Sequence, residues 1–243
     1  MRVMSRLMAN AVFVTAFMVA PVLGVVSAGA ATIDWAVWSN SYTAGNPGGS
    51  ATATMDSNTV TYSGELISVY PNYPSWLPVS TFSGGTVGNP PPQSGGIVQL
   101  NGGNGDNATV DTITFATAVV NPVMAIWSLG QAPPNQTINA SFNFINAPFA
   151  IESGGPSAEY SGTSITQSGN IVYGLEGNGT IQFNGTYTSI SWTNPVSEYW
   201  YGFTVGTPTP LPAALPLFAT GLGAMGLLGW RRKRKNAAAL AAA

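Results

Sequence analysis

Short segments of alternating apolar and polar residues fill the chain from about residue 31 to residue 206, separated by clusters of Gly, Pro, Asn and Ser. Side chains of a β-strand point alternately to its two faces, so a period of two predicts strands that bury one face. TIDWAVW (32–38) and TINASFNF (137–144) show this pattern most clearly. No helical period of useful length interrupts it, which predicts an all-β domain over residues 31–206.

The number and spacing of these segments indicate a fold within the all-β class. Asn184-Gly185 separates two alternating segments in 179–192 and predicts a type I′ hairpin, because both turn residues need positive φ. Many short strands between turn signals predict a single β-sandwich of jelly-roll type, whereas the alternative, a β-helix, needs a fixed-period repeat that the sequence lacks. A loop is predicted at 84–96, and further strands are predicted at 50–55, 58–69, 97–100, 109–117, 123–129, 164–175 and 199–205.

Charge is distributed unevenly along the chain. The seven basic residues are Arg2, Arg6 and residues 231–235, and no Lys, Arg, His or Cys lies between Leu7 and Trp230. All nine acids fall in that middle part, which therefore repels phosphate, so nucleic acid is excluded as a partner. The absence of Cys excludes disulfides and thiol nucleophiles.

The N-terminus has the three parts of a secretory signal. Two arginines within the first six residues precede an apolar stretch over 7–26, and Ala28-Gly29-Ala30 matches a small-x-small cleavage site. Residues 1–30 are therefore predicted to be a signal peptide that directs the chain to the Sec machinery and is cleaved after Ala30. An uncleaved N-terminal anchor is the alternative.

A second apolar segment, residues 213–230, carries no charge and precedes the basic run. As an α-helix it would span about 27 Å, close to the roughly 30 Å hydrocarbon core of a bilayer. We therefore predict a transmembrane helix over 213–230 and a cytoplasmic basic tail over 231–243, in accordance with the positive-inside rule. The alternative is a solvated tail behind a core helix. The predicted stop-transfer residues are Arg231, Arg232, Lys233, Arg234 and Lys235.

A short linker and motif, residues 207–212, precede this helix, and the motif together with the first residue of the helix reads Thr209-Pro210-Leu211-Pro212-Ala213. Together with ALPLFATGLGAMGLLGWRRKRK, the motif resembles the PEP-CTERM class of bacterial sorting tails, in the variant whose signature reads Val-Pro-Leu-Pro-Ala. The order of motif, Gly-rich apolar helix and terminal basic cluster is the same. Thr209 stands where the variant has Val, and Leu211 replaces the Glu of the parent motif.

The resemblance implies processing by an exosortase, a membrane-embedded enzyme that recognises the motif. The precursor would sit in the inner membrane, and cleavage near the motif would release the domain or transfer it to the cell surface. Such tails are typical of bacteria that make extracellular polysaccharide, which implies an exopolysaccharide or biofilm setting. An anchored protein that is never processed is the alternative.

Catalysis in the domain could use only carboxylates, because triads, Schiff bases and phosphate clamps need His, Cys, Lys or Arg. A glycosidase needs two acids about 5 to 10 Å apart, and nothing in the sequence pairs any two of them. The protein is therefore predicted to be non-enzymatic, with a carboxylate-only glycoside hydrolase as an alternative. The acids are Asp34, Asp56, Glu65, Asp106, Asp111, Glu152, Glu159, Glu176 and Glu198.

The segment NGGNGDN (101–107) resembles a Gly-Asn-Asp calcium loop. It occurs once, its Asp is one position early for the repeated calcium motif, and it lacks the acid order and closing Glu of an EF-hand. A Gly-rich turn is the preferred interpretation, so we expect neither a metal nor another cofactor.

Two aromatic clusters carry the last functional signal. YPNYPSW (70–76) has Tyr73 and Trp76 beside two prolines, and EYWYGF (198–203) places Trp200 on the strand face opposite its other rings. Exposed rings can stack on sugars, so Tyr73, Trp76 and Trp200 are candidate glycan contacts, although they could instead fill the sandwich core. We therefore expect an exported surface or matrix protein, with a glycan-binding or adhesive module as the alternative.

Overall fold

The computed structural model describes residues 29–134, 137–209 and 221–231. These residues form two eight-stranded sheets, antiparallel except for one short parallel pair. The first sheet contains β1 (Ile33–Trp35), β5 (Ser68–Tyr70), β6 (Ile97–Leu100), β8 (Val123–Leu129), β10 (Phe149–Gly154), β11 (Thr163–Ser164), β14 (Gly177–Phe183) and β16 (Tyr201–Pro208). The second contains β2 (Val37–Thr43), β3 (Gly45–Met55), β4 (Asn58–Leu66), β7 (Val110–Val120), β9 (Ala140–Phe144), β12 (Thr166–Ser168), β13 (Ile171–Gly174) and β15 (Thr186–Thr193).

Strands that neighbour each other in space are mostly distant in sequence. The first sheet has the order β10-β14-β8-β16-β6-β5, with β1 on β16 and β11 on β14, and the second has the order β12-β13-β9-β15-β7-β4-β3-β2. The connections include a single helical turn, α1 (Val79–Phe82), and two 3₁₀ turns, Gln93–Gly95 and Gly105–Asn107. The predicted all-β class is confirmed.

The inner faces of the two sheets share one hydrophobic core. Tyr62 and Trp192 of the second sheet stack at a ring distance of 6.1 Å, and Trp192 meets Phe203 of the first sheet edge to face at 5.2 Å. These side chains are fully buried. Burial of large aromatic surfaces is the main driving force for folding here, since no basic side chain between residues 7 and 230 is present to form ion pairs.

The outer face of the first sheet is also covered. Residues 71–96 fold back over it, and Trp76 and Phe82 from this segment join a second apolar cluster with Trp35 and Trp127 from the strands. Both faces of the central strand β8 are therefore buried, which explains why its residues read as a continuous apolar run. This second cluster forms the base on which the candidate site is built.

The segment 32–38 does not form the single strand that its alternation predicts. The chain leaves the first sheet after Trp35 and enters the second at Val37, and Ala36 between them is buried. As a result, Trp38 faces the core, where its indole N–H donates to the Thr204 hydroxyl (3.1 Å), and Val37 is exposed. Because the chain changes sheets at Ala36, Val37 and Trp38 point to the faces opposite to those that the alternation predicts.

The prediction of a hairpin around Asn184-Gly185 is wrong. The flanking strands are β14 and β15, which belong to different sheets and do not pair with each other. Only Gly185 of the two has positive φ, and the Gly185 N–H donates to the Asn121 side chain (2.9 Å). The turn is therefore a connection between the two sheets rather than the tip of a ribbon.

The two ends of the domain lie side by side. The Ala31 N–H donates to the carbonyl of Thr86 (2.9 Å), which ties the first residue after Ala30 to the domain. At the other end, Thr207 and Pro208, predicted to begin the linker, extend β16 beside β1. The Thr209 N–H and hydroxyl both donate to the carbonyl of Thr32.

The predicted targeting segments fall mostly outside the described residues. Of the signal peptide only residues 29 and 30 are described, and Pro210, Leu211, Pro212, Ala213 and the basic residues after Arg231 are not. Residues 221–231 form a helix with exposed side chains. No helix within the described ranges is both long enough and apolar enough to cross a membrane, and residues 213–220 of the predicted span lie outside those ranges.

Candidate functional site

An open cleft of about 480 Å³ lies on the outer face of the first sheet, and its volume is typical of small-ligand sites. Trp127 of β8 forms its floor, and the loops that enter or leave β5, β8, β11, β14 and β16 form its walls. Six aromatic residues line it, namely Tyr70, Tyr73, Trp127, Tyr160, Tyr199 and Trp200. The polar lining consists of Ser128, Gln131, Glu176 and Glu198.

A β-bulge in β8 brings two consecutive residues to the same cleft. Trp127 and Ser128 lie opposite a single residue of β14, Asn178, and Ser128 has a positive φ of 57°. The Ser128 N–H, which the bulge removes from the ladder, donates to the Asn178 side-chain oxygen (2.8 Å). The Asn178 amide in turn donates to the carbonyl of Glu176 (2.8 Å). Bulges re-aim side chains in this way beside functional sites.

Three other rings pack around Trp127. Tyr73, Tyr160 and Trp200 meet it edge to face, with ring centroids 5.4, 5.3 and 4.8 Å away. Tyr70 continues the aromatic surface, 5.8 Å from Trp200. The indole N–H of Trp127 has no hydrogen-bond partner among the described residues. These contacts produce a rigid aromatic wall whose outer members are accessible to a ligand.

Two carboxyl groups line the polar side of the cleft. Glu198 is buried, and its oxygens accept the N–H groups of Gly130 (3.0 Å) and Trp200 (3.3 Å). Burial raises the pKa of Glu198 to about 8, against the effect of these two donors, and the charge of Glu176 adds to the rise. Burial also raises the pKa of Glu176, whose carboxylate accepts the Ser128 hydroxyl. Raised pKa values of neighbouring acids in a cleft are typical of functional sites.

Gly130 connects the segments that carry the two acids. Its N–H binds Glu198, and its carbonyl accepts the N–H of Glu176 (3.1 Å). Its φ is +80°, and a Cβ there would overlap the carbonyl oxygen of Gly174. We expect Gly130→Ala to lower the free energy of unfolding by about 3 kcal/mol or more, as judged by urea denaturation.

Gly105→Ala is the matched control for this substitution. Gly105 also has a positive φ, +55°, but nothing lies within 4 Å of its Cβ position. Its loss should be limited to the left-handed backbone penalty of about 1 kcal/mol. Equal losses of unfolding free energy in the two variants would contradict the prediction that crowding at Gly130 adds to the backbone penalty.

The structure separates the three predicted glycan contacts. Tyr73 and Trp200 line the cleft together. Trp76 has no exposed surface and packs edge to face on Phe82 at 5.1 Å, so the expectation that it touches a ligand is corrected. Trp76 itself adopts the left-handed backbone conformation, with a φ of 54°, and its side chain lies in the second cluster.

Sequence reasoning missed most of the remaining lining. Tyr160 comes from a loop with no strand pattern, Trp127 reads as an ordinary core residue, and nothing in the sequence pairs Glu176 with Glu198. The predicted alternation over 199–203 also fails at its start, because β16 begins at Tyr201. Tyr199 and Trp200 therefore belong to a loop, and both line the cleft.

A second pair of buried acids lies in the shared core, outside the cleft. Asp111 accepts the Tyr62 hydroxyl (2.7 Å) and the Glu65 N–H (2.6 Å), and burial raises its pKa to about 7. The Glu65 carboxylate accepts the N–H groups of Asn101 and Gly102 at 2.7 and 2.8 Å. The start of the loop 101–107 therefore presents N–H donors to a carboxylate, whereas a calcium site requires oxygen ligands that face a cation.

Metal binding gains no support from the described parts of the chain, where no group of three or more potential metal ligands occurs.

Comparisons of the chain with protein-family models, curated proteins and solved structures find no match.

Proposed function

We propose that the protein is an exported cell-surface or matrix protein whose cleft binds a saccharide. One observation carries the proposal: six aromatic residues and two carboxyl groups line a single accessible cleft. Sugar rings present apolar C–H faces that stack on flat aromatic rings, and their hydroxyls bind carboxyl and amide groups, here those of Glu176, Glu198 and Gln131. A few polar groups within an apolar lining is the usual composition of a ligand site.

The sorting route remains part of the same proposal. The PEP-CTERM-like tail implies export through the Sec machinery, an inner-membrane precursor and exosortase processing, with extracellular polysaccharide as the partner at the destination. Hydrogen bonds of Ala31 and Thr209 to the rest of the domain support a folded unit that includes both residues. We also propose jelly-roll-like connectivity within the all-β class, supported by the repeated crossings between sheets from β4 onward.

Aromatic substitutions test the saccharide site. Tyr199 is 82% exposed, so Tyr199→Ala should leave the fold intact, and Trp200→Ala removes the ring nearest to Trp127. At about 1 kcal/mol per stacked ring, each substitution should weaken binding roughly fivefold. The measurement is affinity for the producing organism's own exopolysaccharide, with thermal melting to verify folding.

Tyr173→Ala is the matched control, since Tyr173 lies on β13 of the second sheet, outside the cleft lining. It should bind as the wild type does. Unchanged binding by folded Tyr199→Ala and Trp200→Ala variants would contradict the saccharide site and favour a structural role for the rings.

A glycoside hydrolase is the second candidate, and the convergence of Glu176 and Glu198 favours it. Glycosidases place two acids across the scissile bond, one of which is protonated so that it can donate to the leaving oxygen while water adds to the sugar. The raised pKa of Glu198 keeps that carboxyl protonated at neutral pH. New reducing ends produced by the wild type but not by Glu176→Gln would establish this activity and overturn the non-enzymatic prediction.

A further inference from the structure

Acidic side chains collect around the cleft. Glu176 and Glu198 line it, and Glu159 precedes the wall residue Tyr160. Glu159 accepts the backbone N–H of Ser75 (3.1 Å), which fixes it next to the loop that carries Tyr73. Burial raises the pKa of Tyr73, and the neighbouring Tyr160 and Glu159 add to the rise. Three of the nine acids therefore lie at or beside one cleft.

No Lys, Arg or His between residues 7 and 230 is present to pair with these acids. Among the described residues, the partners of the cleft acids are N–H and hydroxyl donors, such as Gly130 for Glu198. Buried carboxylates ordinarily have a cationic partner. A cation supplied by the ligand would fill this role.

The aromatic wall favours the same kind of ligand. The faces of Trp and Tyr rings attract cations, and the attraction is stronger where water is excluded. Trp127 is 1% exposed, so water is largely excluded at the inner end of the wall. Rings and carboxyls thus lie within one cleft.

We propose that the cleft takes a glycan that carries free amino groups, such as a deacetylated hexosamine polymer, and rejects uronate-rich glycans. The ammonium group pairs with the Glu176 carboxylate and can donate a hydrogen bond to the neutral carboxyl of Glu198, and the sugar ring stacks on the wall formed by Trp200 and its neighbours. This proposal rests on the saccharide-binding function proposed above and specifies its ligand class.

Calorimetric titration with two matched probes tests the ligand class. The probes are short glucosamine oligomers and N-acetylglucosamine oligomers of the same length, which differ only in the charge and acetylation of the nitrogen. At about pH 6, where the amines are charged, the glucosamine oligomer should bind about tenfold tighter, and salt at about 0.5 M should reduce the difference.

Two carboxyl-to-amide variants separate the site from general attraction of a cation to an acidic protein. Glu176→Gln keeps an acceptor for the Ser128 hydroxyl and should remove most of the preference for glucosamine. Asp56→Asn makes the same charge change in the exposed β3–β4 turn and should leave it unchanged. Glu198→Gln is less suitable, because its amide would face an N–H donor.

Each outcome decides between the proposals. Binding of both oligomers with equal affinity, or tighter binding of the acetylated one, overturns the amino-glycan proposal and retains a saccharide site. Equal losses in Glu176→Gln and Asp56→Asn overturn it too, because the attraction is then non-specific. Failure of both oligomers and of the organism's exopolysaccharide to bind overturns the saccharide function itself.

Discussion

The free energy of unfolding should fall by about 5 kcal/mol between pH 5 and pH 8, a large part of the stability of an ordinary domain. Asp111 and Glu198 cause this loss, because burial raises their pKa values to about 7 and about 8. In the unfolded chain both groups are ionised above about pH 5. The folded state therefore binds more protons across this window, and stability decreases as pH rises.

Urea denaturation at a series of pH values measures this effect, and Asp111→Asn is the informative variant. The amide resembles the neutral acid in shape, and its oxygen can accept the same two donors, Tyr62 and the Glu65 N–H. The advantage of the variant over the wild type in the free energy of unfolding should be small near pH 5 and increase as the pH rises to 8. Stability that is level over this range would contradict the burial of neutral acids.

Substitution of Pro210-Leu211-Pro212 by three alanines should abolish processing of the C-terminus. The change removes the proposed recognition motif but keeps the apolar segment 213–230 and the basic run after it. The precursor should therefore accumulate at full length in the inner membrane. Immunoblots of fractionated cells, with one epitope in the domain and one at the C-terminus, measure the loss of the cleaved form.

A second variant should disturb sorting at a different step. It carries Ser in place of the five basic residues, Arg231, Arg232, Lys233, Arg234 and Lys235. Without the stop-transfer charges the segment should pass through the membrane or orient wrongly, so unprocessed chain should appear in the periplasm or medium. A simple anchor predicts that the alanine substitution changes nothing. A wild-type protein that keeps its C-terminal epitope at the cell surface would contradict the sorting proposal.

The fold class follows from local pattern, but strand partners do not. Alternation predicts Ala140, Phe142 and Phe144 on one face of β9, and all three are buried. The same reasoning fails at Ala36 and at Asn184-Gly185, where the chain crosses between sheets. Strand and turn propensities are properties of a few neighbouring residues, whereas a crossing depends on which distant strand is already in place.

The candidate site shows the same division. Two of its rings, Tyr73 and Trp200, were predicted from unusual aromatic clusters in the sequence. The floor residue Trp127 was not, because a Trp in a continuous apolar strand is typical of a core. The bulge at Ser128, which opens that strand to the cleft, depends on Asn178 of a different strand.

The sequence by itself determined the all-β class, the absence of any cation from residue 7 to residue 230 and the resemblance of the tail to a sorting signal. These properties depend on composition, periodicity and the order of short segments. Only the tertiary structure decided that Glu176 and Glu198 line the same cleft and that Trp76 is buried while Trp200 is accessible. Glu176 and Glu198 reach one cleft through contacts with Ser128 and Gly130, and contacts between residues so far apart in the chain have no local signature.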